Sequence, residues 1–182
     1  DNVAVGSKYI ICKYHVIDDK REWGIAYHQL EKLQLVFSED GETYALWSST
    51  NAIDVENWNH IVFNYVAGDA LTVYLNGQLL AGSFTTGSLP ASLNASDAPV
   101  CIGSLSNGAN YFEGTIFDAR IYDTAISADE VLAIYRQGLQ PHQVVEGQPS
   151  ADNLVGRWLL DDNSQTTAYD SSGNGNHGTI MN

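Results

Sequence analysis

Residues 71–82 read LTVYLNGQLLAG. Leu71, Val73 and Leu75 fall on one side of an extended chain, Thr72 and Tyr74 on the other, because successive side chains of a strand alternate. Asn76-Gly77 then supplies the two positive-φ residues that a type I′ hairpin turn requires. Working outward, the chain reads as short strands separated by turns: Lys8–Tyr14, Trp23–Tyr27, Leu33–Phe37, Tyr44–Ser48, Asn59–Val66, Val100–Gly103 and Gly114–Tyr122. SEDGE (38–42) is a turn, and the Ser/Thr/Gly/Pro-rich stretch Gly82–Pro99 reads as loop. In GTIFDARIY (114–122), Ile116, Ala119 and Ile121 do not alternate, which predicts a bulge or burial on both faces. One helix is expected. Ser127 and Glu130 form a capping-box pattern, Val131, Leu132, Ile134 and Tyr135 supply its apolar stripe, and Gly138 marks its stop. There is no room for helices between the strands, so the expected class is all-β, an antiparallel β-sandwich or jelly roll with one short helix.

A chain of 182 residues suits one domain, or one plus a fragment. Its 22 acidic against 8 basic residues give a net charge of -14. Such a surface repels nucleic acid and anionic membrane, and no apolar run reaches transmembrane length. The charge suits a secreted protein, or one that uses divalent cations as counterions. The chain lacks an initiator Met and enters a strand almost at once, so it is read as a piece of a longer protein. Cys12 and Cys101 both sit in apolar strand-like runs, as a free buried pair or, if the strands neighbour each other in an oxidising compartment, as a disulfide. Asn94-Ala95-Ser96 is a single glycosylation sequon of little weight.

The tail is unusual. RWLLDDNSQTTAYDSSGNGNHGTI (157–180) reads as an apolar strand, a polar loop and a second apolar start. In Asp170–Asn176 the Asp170 carboxylate and oxygens of Asn174 and Asn176 suit a hard cation, with glycines that let carbonyls turn inward. The alternative is a bare Asx/Gly turn.

Three stretches together carry a resemblance: WNHIVFNYVAGDALTVYLNGQLL (58–80), IGSLSNGANYFEGTIFDARIYDTAISADEVLAIYRQG (102–138) and VGRWLLDDNSQTTAYDSSGNGNHGTI (155–180). They are similar to the hairpin, the closing part and the opening of concanavalin A-like, laminin-G-like jelly rolls. The order differs, because in that family the opening motif comes first. The resemblance therefore implies a sandwich over residues 1–140 that lacks its usual first strands, a connection at 141–154, and a family-type first strand and loop at 155–182. That tail either completes the same sandwich, as in a permuted domain, or starts the next domain of a tandem array, where it could mediate self-association. The resemblance also implies that Asp118, on the F-x-G-x-I-x-D strand, joins Asp170 around a structural calcium ion.

Catalytic patterns are missing. Hydrolases of the resembled type carry an E-x-D-x-E-like strand with two carboxylates flanking the scissile bond; this chain has none, and no G-x-S-x-G. His15, His28, His60, His142 and His177 are scattered, without zinc spacing. For sugar binding, aromatic faces beside amides are the useful groups, and Trp23, Tyr27, Trp47, Asn107, Asn110 and Tyr111 lie near expected strand ends or loops. The expected function is a non-catalytic, lectin-like recognition or adhesion module of an extracellular or particle-surface protein, binding a glycan or other cell-surface ligand. The rivals are a ligand-free spacer in a tandem adhesin or phage tail, and an accessory domain of a secreted glycoside hydrolase. A concave sheet lined by exposed aromatics favours the lectin; a face filled by its own side chains favours the spacer.

Overall fold

The alternating segments near the N-terminus build one large antiparallel sheet. A computed structural model describes residues 6–15, 18–139, 146–162 and 164–181. The expected connection at 141–154 lies partly outside the described residues, at 141–145, as does His142. The strands are β1 (Ser7–His15), β2 (Lys20–His28), β3 (Lys32–Phe37), β4 (Ala45–Ser49), β5 (Ile61–Val66), β6 (Ala70–Leu75), β7 (Gln78–Leu79), β8 (Gly82–Thr86), β9 (Val100–Ile102) and β10 (Ala119–Tyr122). Helix α1 (Ala128–Leu139) follows, then β11 (Leu154–Trp158), β12 (Thr167–Ala168) and β13 (Gly178–Thr179). The chain divides into two compact units, one ending at Leu75 and resuming over Leu79–Gly114, the other made of Asn76–Gln78 and the residues from Thr115 onward.

In the first unit six strands pair in the order β8-β4-β3-β2-β1-β9, with β5 and β6 in a separate sheet. The architecture is an antiparallel β-sandwich, as expected. One face of the large sheet meets β5. The Phe63 ring lies 6.0 Å from Trp23 and 5.9 Å from Phe37, and Phe37 stacks on Tyr65 at 5.6 Å. The opposite face carries Tyr9, Cys12, Tyr14, Ala26, Val36 and Leu46, all buried and joined by Leu105 in one cluster. Both faces therefore carry packed side chains. Full burial of one large apolar side chain stabilises by roughly 1.5–3 kcal/mol, so this double-sided packing is the main source of the unit's stability.

The hairpin turn is as read: Asn76 and Gly77 have φ of 54° and 77°. Its first strand is covered on both sides, with Val73 and Tyr74 both buried. The loop expected at Gly82–Pro99 is corrected at its start, where β8 pairs with β4 in the register Trp47↔Phe84 and Ser49↔Gly82. Its Ser/Thr/Gly composition hides the strand, because the position is fixed by the Trp47 ring lying against Gly82. The strand expected at Gly114–Tyr122 is shortened to β10, since Asp118 stands at φ 57° and breaks the extended chain. The expected irregularity is present as a register shift between Ile121 and Tyr122.

In the second unit the capping box forms. The Glu130 carboxylate accepts from the Ser127 N–H at 2.7 Å, and Ser127 Oγ accepts from the Glu130 N–H at 3.3 Å. Helix α1 buries Val131, Ala133 and Ile134, and runs through Gly138 to Leu139, one residue beyond the expected stop. Strand β11 of the tail pairs antiparallel with β10, in the register Ala119↔Trp158, Arg120↔Arg157 and Ile121↔Gly156.

A Cβ on Gly82 would collide with the Trp47 ring and the Ser48 carbonyl. Gly82→Ala is expected to destabilise the protein by about 1–3 kcal/mol, as overpacking does; the urea unfolding midpoint reads this directly, and an unchanged midpoint would show that Trp47 is not fixed there.

Candidate functional site

The tail loop is organised around one carboxylate. Asp170 is 7% exposed. Its Oδ1 accepts from the backbone N–H of Arg157 at 2.9 Å and of Ser172 at 2.8 Å. Its Oδ2 accepts from Ser172 Oγ at 2.8 Å and from the Asn176 N–H at 2.9 Å. Burial opposes ionisation of this carboxyl, but those four donors prevail and hold it down at about 2. Gly173 and Gly175, at φ 97° and 77°, let the loop close so that N–H groups point inward. The expectation had the carbonyls pointing inward. The amides of Asn174 and Asn176 face the strand instead: Asn174 Nδ2 donates to the carbonyls of Leu154 (2.6 Å) and Val155 (3.1 Å), and Asn176 Nδ2 to Val155 (2.9 Å).

Asp118 is held differently. Arg120 and Arg157 are direct cross-strand partners, and two like charges so placed repel. The left-handed backbone at Asp118 lies beside this pair. Its Oδ1 accepts from Nε of Arg120 (3.0 Å) and of Arg157 (2.8 Å), and its Oδ2 from Nη2 of the same two residues (2.7 and 3.0 Å). Each guanidinium thus grips the carboxylate with two parallel bonds, the strong geometry for this pair. Burial pushes the carboxyl upward, and the two guanidiniums overcome it, leaving it at about 2.

Calcium needs six to eight oxygens turned toward one point. Here the Asp170 oxygens face N–H and O–H donors, Asp118 is flanked by two cations, and both Asn residues turn their NH2 groups to the backbone. Among the described residues no group of three or more His, Cys, Asp or Glu could hold a metal. The set Asp118, Asp170, Asn174 and Asn176 as arranged does not turn its oxygens to one point and does not fit a calcium ion.

The expected ligand-binding residues are scattered. Trp47 is 6% exposed and belongs to the core. This corrects its reading as a sugar platform, since it lies on the face that carries Leu35 and Phe84. Trp23 packs on Phe63, and both Trp23 and Tyr27 are half-buried on that same inner face. Asn110 is a tether: its Nδ2 donates to the Ser7 carbonyl at 2.8 Å, and its own carbonyl accepts from the Tyr9 N–H at 3.0 Å. Asn107 is exposed, with Oδ1 accepting from the Ala109 N–H. Only Tyr111, 59% exposed, offers a large free aromatic face. The sequon Asn94 is also engaged, its amide donating to the carbonyls of Asp19 and Arg21.

A residue passed over in the sequence stands out. Trp58 is 68% exposed, at the end of a loop locked by its own polar groups. Asp54 accepts from the Glu56 N–H and from Asn57 Nδ2, both at 2.9 Å. Asn59 Nδ2 donates to the carbonyls of Asp54 and Asn57. The signal was the composition DVENWNH (54–60), where polar neighbours surround the Trp instead of an apolar stripe.

A family model described as the concanavalin A-like lectin/glucanases superfamily matches residues 5–132. The chain belongs to that superfamily. No curated protein matches the chain. The match ends within α1, so β11–β13 and the Asp170 loop lie beyond the part that carries the superfamily assignment. A superfamily that groups lectins with glucanases admits both binding and hydrolysis.

Two predictions follow from the tail. The carboxyls of Asp118 and Asp170 sit below their ordinary 3.8 when folded. The unfolded chain therefore binds more protons between pH 4 and 2, and stability present above the unfolded value is lost as pH falls through the folded one. Asp118→Asn should flatten this acid limb and lower stability at pH 7 by roughly 2 kcal/mol, read from urea midpoints at several pH values; an unchanged limb would remove the two-guanidinium account. Chelation should leave the melting temperature where it is, because an ion bound to the native state must raise it by mass action. A rise on adding calcium would reinstate a cation site.

Proposed function

We propose that this concanavalin A-like chain is a non-catalytic recognition module of an extracellular or particle-surface protein, and that it contacts carbohydrate through an edge loop and not through its sheet. The observation that carries this reading is Trp58. A ring left 68% in water on a loop already fixed by Asp54, Asn57 and Asn59 can stack on the apolar face of a sugar without further ordering, which favours binding. Exposed Tyr111 on a separate loop is a second candidate platform.

The chemistry supports binding over hydrolysis. A glycosidase needs a carboxylic acid whose pKa is raised so that it stays protonated, paired with a second carboxylate. Asp40, Asp54, Asp97, Asp118, Glu130 and Asp170 are all shifted downward. Buried Glu22 is held by Lys13 at 2.7 Å and by Ser96. Each of the buried or half-buried acids among these is occupied by a structural partner.

A second reading is favoured by a different observation. Both faces of the large sheet are filled by the protein's own side chains, as a ligand-free spacer requires. Among the described residues no helix is long and apolar enough to cross a membrane.

A glycan array run with the wild type and with Trp58→Ala separates the two. The binding reading expects signals on the wild type that fall about tenfold in the variant, a loss on the order of 1.4 kcal/mol, with little change in melting temperature. Silence across the array would leave the spacer.

A further inference from the structure

The two cysteines are brought together by the register. Strand β9 pairs antiparallel with β1 so that Cys12 stands directly opposite Cys101. Residues so paired share one face of a sheet, and Cys101 packs against the cluster that contains Cys12. Directly opposed antiparallel residues have Cα atoms about 4.5–5.5 Å apart, inside the roughly 4.4–6.8 Å range that a disulfide spans. Both are free thiols here, Cys12 buried and Cys101 half-buried. Cys12 Sγ donates weakly to the Ser104 carbonyl at 3.5 Å and Cys101 Sγ to the Pro99 carbonyl at 3.9 Å, so rotation of both side chains is needed to bring the sulfurs into contact.

We propose that Cys12 and Cys101 form a cross-strand disulfide that clamps the edge strand β9 to β1, and that a low-molecular-weight disulfide is the oxidant. The thiolate of Cys101, the more accessible sulfur, attacks the small disulfide and releases one thiol, leaving a mixed disulfide on Cys101. Cys12, having lost its proton, then attacks the Cys101 sulfur and expels the second small thiol. One protein S–S bond forms, two S–H bonds are lost, and the oxidant is reduced to two thiols. Burial pushes the pKa of both protein thiols up and so suppresses the thiolate, so closure is slow at neutral pH and speeds up as pH rises.

The position gives the bond a purpose in the fold. At three residues, β9 is short and forms one edge of the six-stranded sheet. An edge strand is in general vulnerable to fraying or to pairing with another chain. A bond across the β1–β9 pair fixes that edge and closes a long stretch of chain, the arrangement in which a cross-link restricts the unfolded state most.

The test uses the whole chain incubated in oxidised glutathione at pH 8.5, followed by unfolding in the presence of a thiol reagent. The expected result is loss of both titratable thiols, an intact mass lower by two hydrogens, and one cross-linked peptide joining Cys12 to Cys101. The melting temperature should rise by about 5–10 °C and return on reduction. Cys101→Ser, a mild change at a half-exposed position, should abolish the shift. Two thiols still titratable after incubation, or a glutathione adduct on Cys101 without closure, would overturn the proposal.

Discussion

Arg157 is where the tail is joined to the closing strand. Its backbone N–H donates to Asp170, its carbonyl accepts from the Ser171 N–H at 2.8 Å and Ser171 Oγ at 3.1 Å, and its guanidinium grips Asp118. One residue thereby ties the polar loop, strand β11 and strand β10 together. The pairing of β10 with β11 is only a few residues long, and so short a ribbon is marginal in water by itself. Charge-assisted bonds from two guanidiniums to one half-buried carboxylate supply what backbone pairing alone does not. The arrangement also resolves a conflict in the register, because Arg120 and Arg157 face each other and need an anion between them.

The first unit rests on a different constraint, that its large sheet is buried on both faces. The sheet is packed by β5 on one side and by the Leu105 loop on the other, and the largest exposed rings stand on loops outside it. Among the exposed aromatics, Trp58 combines the largest ring with the most firmly tied loop, while Tyr111 sits where its neighbours pin the chain to β1 through the Tyr9↔Tyr111 bridge. Rigid loops on a rigid scaffold are where recognition groups are generally carried.

What could be read in the sequence was local. Asn76-Gly77 specifies its turn because only positive φ satisfies the strand twist, and Ser127 with Glu130 closes its box within four residues. Family membership and the β-sandwich were legible from the motifs at 58–80 and 102–138 for the same reason, since each contains its own turn or cap. The failures are nonlocal. Strand β8 carries no periodic signal and exists because β4 offers it an edge. Trp47 and Trp58 are indistinguishable as aromatics near strand ends; one is buried by a glycine 35 residues away in the chain, the other left out by a polar turn. Asp118 could not be read as an arginine clamp, because one of its two partners lies 39 residues on.

The Asp170 loop pairs a cation-like composition with N–H groups turned toward its carboxylate. Carboxylate, serine, asparagine and glycine are the residues of calcium loops and also of tight Asx turns, and composition cannot separate the two. What separates them is which end of the peptide unit points inward. When glycines turn carbonyls toward a point, that point becomes negative and needs a metal. When they turn N–H groups inward, the point becomes positive and a carboxylate fills it, the anion-binding nest of backbone amides. Here Arg157, Ser172 and Asn176 all present N–H groups to Asp170. The peptide dipoles supply the countercharge of the loop's acidic residue. Protein donors do the same at Asp118, where two guanidiniums grip the carboxylate. A chain with a net charge of -14 can therefore retain ionised carboxylates at Asp118 beside β10 and at Asp170 in the tail, because each carries its own countercharge.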